Sequence, residues 1–91
     1  MFYVYILHSS VSSRYYIGQT SNVADRLQRH NAGYEKSTAP YAPWRLLLSL
    51  EKTSRSEAVI LERKLKNLNT KDLEQFITKY RQVWGRVVLC F

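Results

Sequence analysis

The stretch RYYIGQT, residues 14–20, combines aromatic and β-branched residues that favour a β-strand. The segment FYVYIL, residues 2–7, has the same character, and the serine-rich segment between them predicts a short loop. Together they predict an antiparallel β-hairpin. Because side chains alternate between the two faces of a strand, Tyr15 and Tyr16 must point to opposite sides of the sheet. At most one of these tyrosines can then belong to the core of a half-buried sheet.

A helix is predicted directly after the hairpin. Ser21 and Asn22 are both suitable N-cap residues, and Gly33 is a suitable residue at which the helix ends. Within this segment Arg26 and His30 lie one turn apart and therefore share one side of the helix. The helix thus carries a cationic stripe beside its apolar one.

The middle of the chain predicts a loop, a strand and a helix. The prolines within residues 33–43 favour a loop, because proline fits neither a helix interior nor a central strand. WRLLLSLEK, residues 44–52, predicts a third strand, apolar enough to form the buried centre of the sheet. Ser54 and Glu57 have the spacing of a capping box, so a helix begins there. Its apolar residues recur at three and four positions, which is typical of packing on a core.

A last helix is predicted from about Thr70, and the tail at residues 83–91 predicts either a short strand or a packed extension. The element order is β-β-α-β-α-α. This order predicts an α/β protein of the α+β type, with a small three-stranded mixed or antiparallel sheet flanked by helices. Residues 1–91 are expected to form a single domain.

Composition narrows the function classes. The chain has 14 lysines and arginines against 7 acidic residues, a formal charge of +7 and a pI near 9.8. This excess favours a polyanionic partner, nucleic acid first, although a merely soluble cationic surface explains it too. Cys90 is the only cysteine, which predicts a reducing, cytoplasmic location. No apolar run approaches the ~20 residues that a membrane span needs.

Several residue types suit phosphodiester hydrolysis, which needs a base near the attacking water, a cation for the phosphoryl oxygens and usually a divalent metal. Arg26 can bind phosphate bidentately, and Glu62 suits Mg²⁺. Each also has a simpler explanation. Arg26 can be a solvated helix residue, His30 can stabilise a helix C-terminus, and Glu62 can form a surface pair with Lys66. The tyrosines can be amphipathic strand residues at the edge of the core.

The tyrosine strands resemble the signature of the GIY-YIG nuclease superfamily. The second half is intact as Tyr16-Ile17-Gly18, whereas Tyr3-Val4-Tyr5 stands where Gly-Ile-Tyr is usual. An arginine ten positions after the second tyrosine is the family spacing, and Arg26 matches it. Three further stretches resemble the small stand-alone members of this superfamily: RLQRHN (residues 26–31), STAPYAPWRLL (residues 37–47) and SRSEAVILERKLK (residues 54–66). These members are similar to the N-terminal nuclease domain of the DNA-repair excinucleases. The resemblance runs from Phe2 to about Leu68.

The resemblance implies metal-dependent cleavage of one DNA strand at a time, on a small mixed sheet flanked by helices. It implies that Tyr16 or Tyr5 is the general base or orients the water. It further implies that Arg26 stabilises the phosphate, that His30 assists, and that Glu62 holds one Mg²⁺ or Mn²⁺. The missing glycine changes a strand residue rather than a catalytic one. A further asparagine of the family has no assigned counterpart here.

Two other functions fit the sequence. The first is a nucleic-acid-binding module without catalysis, in which exposed tyrosines stack on unpaired bases. The second is a structural partner whose apolar tail docks on another protein. DNA of branched, nicked or damaged form is the expected ligand, RNA is an alternative, and a protein partner or a homodimer could supply targeting. The expected phosphate contacts are Arg26, Arg29, Lys36, Arg45, Arg63, Lys64 and Lys66.

Overall fold

The computed structural model describes residues 1–83 and has the predicted element order. The tail after Val83, predicted as a strand or an extension, lies outside the described residues. None of the helices between residues 1 and 83 is long and apolar enough to cross a bilayer. The strands are β1 (Phe2–Ser9), β2 (Tyr15–Thr20) and β3 (Trp44–Lys52), and the helices are α1 (Val23–Ala32), a 3₁₀ turn (Ala39–Tyr41), α2 (Arg55–Lys66) and α3 (Thr70–Val83).

The three strands form an antiparallel sheet in the order β2-β1-β3. The expectation that β3 is its buried centre is therefore wrong, since β1 lies between the other two strands. The burial of β1 is continuous, because Val4, Tyr5, Ile6 and Leu7 are each at most 1% exposed. In β3, by contrast, buried Leu46 and Leu48 alternate with exposed or half-buried residues. Apolar content alone did not distinguish an edge strand with one well-covered face from the central strand.

Each face of the sheet is covered by different helices. On one face, Val4 and Ile6 belong to a cluster that includes Ala58 and Leu65 of α2 and Ile77 of α3. On the other face, Tyr5, Leu7, Trp44 and Leu46 form a second cluster, against which Val23 and Leu27 of α1 pack. The side chains of β1 thus alternate between the two faces, and Tyr5 lies on the face that α1 covers.

Side-chain caps fix where the helices begin. Asn22, rather than Ser21, is the N-cap of α1, since its side chain accepts a hydrogen bond from the backbone N–H of Asp25 at 3.0 Å. Gly33 ends this helix with a positive φ of 84°, which glycine adopts without strain. These caps set the length of α1 and so the position of its cationic side.

Candidate active site

The two tyrosines of the signature meet on the sheet face covered by α1. Tyr5 lies on β1 opposite Gly18, and Tyr16 lies on β2 opposite Leu7, so the two rings are diagonal neighbours. Their centroids are 6.1 Å apart. The ring of His30, from α1, lies 4.6 Å from that of Tyr16 and 6.1 Å from that of Tyr5. The structure therefore brings three of the predicted site residues into one aromatic cluster.

Gly18 makes room for this cluster. A Cβ atom on Gly18 would lie 2.7 Å from the hydroxyl oxygen of Tyr5, 2.8 Å from its Cζ and 3.0 Å from Cε2 of Tyr16. The first two distances are shorter than side chains tolerate without moving. The glycine after Tyr16 and Ile17 is thus required because the Tyr5 ring crosses directly over its backbone.

Tyr15 takes the opposite face, as the alternation predicts. Its ring packs against the cluster formed with α2 and α3, and its hydroxyl donates a hydrogen bond to the Glu74 carboxylate at 2.7 Å. Burial, followed by the neighbouring Glu74 carboxylate, raises the pKa of the Tyr15 phenol. Tyr15 therefore ties β2 to α3 and has no place in the aromatic cluster around His30.

His30 is a buried histidine with a partner on each ring nitrogen. It is 1% exposed, its Nε2 lies 3.1 Å from the Tyr5 hydroxyl, and its Nδ1 lies 2.9 Å from the Thr38 hydroxyl. Burial lowers the pKa of His30, Glu35 opposes this shift, and Arg26 and Arg29 add to it. The imidazole is consequently neutral at pH 7.

Tyr5 is held in its protonated form. It is 1% exposed, and burial raises the pKa of its phenol well above the ordinary value. The neighbouring Tyr16 adds to the rise, whereas the positive charge of Arg26 opposes it. Tyr16 differs in exposure, because it remains half-buried at the edge of the same cluster.

Arg26 joins the cluster from α1. It is half-buried, and its guanidinium lies close enough to Tyr5 and His30 to act on the pKa of both. It is one helical turn from His30, as the sequence spacing predicts. Four predicted site residues, Tyr5, Tyr16, Arg26 and His30, are thus neighbours in the structure.

Glu62 lies on α2 and is engaged elsewhere. Its carboxylate, whose side chain is 20% exposed, forms an ion pair with the Lys66 ammonium at 2.9 Å. The simpler explanation of this residue, a pair one turn apart, is therefore confirmed. Within residues 1–83 no hydrogen bond joins Glu62 to the aromatic cluster, and no three metal-ligating side chains come together.

A cleft lies beside β2, on the side of the sheet that α2 and α3 cover. It has a volume of about 490 Å³ and lies between β2 and the end of α2 and start of α3. Tyr15, Tyr16 and Ile17 line it on one side, and Leu65 and Lys66 line it on the other. Lys66, which lines the cleft, is the ion-pair partner of Glu62, whereas Glu62 is not itself among the residues that line it.

Glu62 fits a magnesium site of the open kind. Mg²⁺ keeps several waters and is commonly bound through one or two carboxylates together with substrate phosphates. The half-buried Glu62 carboxylate provides one such ligand, and its partner Lys66 lines the neighbouring cleft. The pairing with Lys66 would have to open for Glu62 to bind the ion.

The expected phosphate contacts other than Arg26 are all exposed. Arg29, on α1, pairs with Glu35 at 3.3 Å and lies 6.0 Å from the ring centroid of the exposed Tyr34. These expected contacts are distributed over α1, the loop after it, β3 and α2, and they are Arg29, Lys36, Arg45, Arg63, Lys64 and Lys66.

Two residues that hold the site were not assigned a role from the sequence. The Asn31 side-chain amide donates to the Trp44 carbonyl at 3.1 Å, and its oxygen accepts from the Trp44 backbone N–H. Thr38 binds His30 through its hydroxyl and the Trp44 indole through its carbonyl, the latter at 2.9 Å. Both lie in stretches that resemble the small family members, but a polar residue in such a stretch carries no sign of its partner.

Comparisons with known proteins identify a matching family and a similar solved structure. The GIY-YIG catalytic domain model matches residues 1–82 of the chain. The chain is also similar to the solution NMR structure of the UPF0213 protein BH0048 from Bacillus halodurans, with 32% sequence identity and a TM-score of 0.57. The match covers 86% of this chain and 84% of that one. No curated protein matches the chain.

Proposed function

The chain belongs to the GIY-YIG catalytic-domain family, a family of endonucleases, and on this basis we propose that it is a divalent-metal-dependent endonuclease that nicks DNA. The observation that carries the proposal is the convergence of Tyr5, Tyr16, Arg26 and His30 around Gly18. A tyrosine pair beside an arginine and a neutral histidine is more than a core requires. It supplies a water-orienting hydroxyl, a phosphate-binding cation and a proton acceptor.

Tyr16 is the tyrosine that contacts the attacking water. Tyr5 is unsuited to this role because it is 1% exposed and its hydroxyl is already bonded to His30. Tyr16 is half-buried and lines the cleft, so water and substrate can reach it. Tyr5 instead holds His30 and packs beside the Tyr16 ring.

Arg26 binds the phosphate, and His30 acts as a proton acceptor next to the two tyrosines. A guanidinium stays charged at every physiological pH and can donate two parallel hydrogen bonds to phosphate oxygens. Its half-buried position in the cluster strengthens such an interaction by excluding water. His30, neutral at pH 7, can accept a proton within the cluster.

Glu62 is the residue that would hold Mg²⁺ or Mn²⁺. When bound, the ion would stabilise negative charge on the phosphoryl oxygens. Lys66, the ion-pair partner of Glu62, lines the same cleft as Tyr16, which supports the proposal that Glu62 and Tyr16 act on one phosphate.

The proposed ligand is DNA that is branched, nicked or damaged, and the proposed setting is repair or recombination in the cytoplasm. The charge of +7 and the exposed cations on α1, β3 and α2 support a phosphate-rich ligand. A cleft of about 490 Å³ would hold a nucleotide or two, whereas a duplex must lie across it. RNA, a protein partner and a homodimer remain outcomes that experiment can distinguish.

The test is a nicking assay on labelled duplex, flap and four-way-junction DNA, with Mg²⁺, Mn²⁺ or EDTA. Tyr16→Phe removes the hydroxyl beside His30, and Tyr80→Phe removes a hydroxyl on α3, outside both the cleft and the aromatic cluster, as a matched control. We expect metal-dependent nicking that falls by about 100-fold or more in Tyr16→Phe. Tyr80→Phe is expected to nick at the parent rate. Equal activity of the two variants would exclude the assigned role of Tyr16.

A binding module without catalysis gives a different result. Such a protein would bind the same DNA with strong salt dependence, would be insensitive to metal, and would cut none of the substrates. The buried His30 hydrogen-bonded to Tyr5 argues against it, because binding to phosphates needs neither group.

A further inference from the structure

The two hydrogen bonds of His30 allow its tautomer to be worked out. A neutral imidazole has one nitrogen that donates and one that accepts. Nε2 faces the Tyr5 hydroxyl at 3.1 Å, and Nδ1 faces the Thr38 hydroxyl at 2.9 Å. Both partners are hydroxyls, which can donate or accept, so the direction of each bond depends on what else those hydroxyls contact.

The Thr38 hydroxyl already has an acceptor. It donates to the backbone carbonyl of Glu35 at 3.3 Å, which leaves its oxygen free to accept from Nδ1–H of His30. Thr38 is itself 2% exposed, and its carbonyl accepts from the Trp44 indole at 2.9 Å. Its hydroxyl is therefore held in place at the start of the 3₁₀ turn.

The Tyr5 hydroxyl, unlike that of Thr38, has a proton that requires His30 or a neighbouring hydroxyl as its acceptor. Nε2 of His30, at 3.1 Å, is an acceptor for the Tyr5 proton, and the Tyr16 hydroxyl lies close enough to be another. If Nε2 of His30 carried the proton, the Tyr5 proton would have to turn to Tyr16, and the Thr38 proton would have to turn from the Glu35 carbonyl to Nδ1. The tautomer with Nδ1 protonated keeps both the Tyr5–His30 and the Thr38–Glu35 hydrogen bonds and is therefore favoured.

We infer that Thr38 is a positioning residue that fixes His30 in the Nδ1–H tautomer and so keeps Nε2 as the acceptor of the Tyr5 hydroxyl. The result is a directed chain from Tyr5 to His30, from His30 to Thr38, and from Thr38 to the Glu35 carbonyl. Its effect on cleavage rests on the proposed function, whereas the tautomer itself does not.

The tautomer is directly measurable by ¹⁵N NMR of the imidazole nitrogens at pH 7. The chain has two histidines, so His8→Gln identifies the His30 signals without touching the aromatic cluster. We expect Nδ1 to have the shift of a protonated nitrogen and Nε2 that of a bare one. A protonated Nε2, or two averaged signals, would overturn the inference. This measurement needs no variant at Thr38 and no cleavage activity.

The role of Thr38 is tested with three variants. Thr38→Val keeps the shape of the side chain and removes the hydroxyl that accepts from Nδ1 of His30, whereas Thr38→Ser keeps a hydroxyl. Thr78→Val makes the same change on the exposed side of α3 and is the control. We expect Thr38→Val to shift His30 towards the Nε2–H tautomer and to slow nicking by about 10-fold or more. Thr38→Ser and Thr78→Val are expected to retain the parent spectrum and rate. An unchanged tautomer in Thr38→Val would refute the role of Thr38. If the parent protein cuts no DNA, the proposed function fails while the spectra still decide the tautomer.

Discussion

Gly18 and Tyr5 show how one missing side chain positions another. In Gly18→Ala the new Cβ would lie 2.7 Å from the Tyr5 hydroxyl oxygen, so the ring must move and its bond to His30 must lengthen or break. We expect the free energy of unfolding, measured in urea, to fall by about 1–3 kcal/mol. The nicking rate of Gly18→Ala should fall as well, because the hydrogen bond between Tyr5 and His30 is disturbed. Gln19→Ala, on the next residue of β2, is the control, and equal stability of the two variants would contradict the close approach.

A second residue-scale prediction concerns pH. Burial lowers the pKa of folded His30 below 6.5, so the unfolded chain binds its proton more readily. Neutral His30 therefore contributes its full stability above pH ~6.5, and this contribution is lost as the pH falls towards the lower folded pKa. We expect unfolding free energies measured from pH 7 to 5 to fall less steeply in His30→Gln than in the parent.

His8→Gln is the control for this pH series, because His8 is the other histidine and lies half-buried against the Tyr15 ring, away from the cluster. It should keep the slope of the parent protein. If His30→Gln also keeps that slope, burial of a neutral His30 does not govern this part of the pH dependence.

Single residues differ in how well the sequence predicts them. The opposite directions of Tyr15 and Tyr16 follow from strand alternation, and the structure confirms that only Tyr16 joins the cluster with His30. The role of Thr38 could not be predicted, because a threonine in a loop has the same local sequence signal whether its hydroxyl meets water or a buried imidazole. Only the folded contact between α1 and the 3₁₀ turn reveals it.

At the scale of elements, Asn31 fastens α1 to the start of β3. Its side chain binds both backbone groups of Trp44, so Asn31→Ala removes two hydrogen bonds at once. We expect a loss of about 1–3 kcal/mol in unfolding free energy, together with slower nicking, because α1 carries Arg26 and His30. Asn67→Ala, at the exposed end of α2, is the control. Equal losses in both variants would contradict the role of Asn31 as a clamp.

The existence and order of the elements were predictable, whereas the neighbours of each strand were not. The spacing at which apolar residues recur indicates which face of a helix or strand each residue occupies, and caps such as Asn22 and Gly33 fix the ends of α1. Strand order depends on how the connections cross the sheet. The segment from β2 through α1 returns the chain to the far side of β1, so apolar β3 becomes an edge strand.

For the whole molecule, the positive charge predicts salt-dependent binding of DNA. Each phosphate contact that is removed lowers the slope of log affinity against log salt concentration by about 1. The double variant Arg63→Gln/Lys64→Gln on α2 is therefore expected to lower the slope by about 2. Lys71→Gln/Lys79→Gln removes the same charge from α3, which carries none of the expected contacts. Equal changes in both variants would indicate that net charge alone, rather than a defined surface, governs binding.

The central claim is the proposal that Glu62 of α2 and the tyrosine cluster of the hairpin act on one phosphate. The most direct test is the metal dependence of the nicking rate in the parent, in Glu62→Gln and in Glu57→Gln, a control on the same helix whose carboxylate binds the Thr53 hydroxyl. We expect the parent and Glu57→Gln to nick DNA equally, with a rate that saturates in Mg²⁺, and Glu62→Gln to lose about 100-fold or more. Nicking by Glu62→Gln at the parent rate, or a parent protein that cuts no DNA with either metal, would contradict the claim.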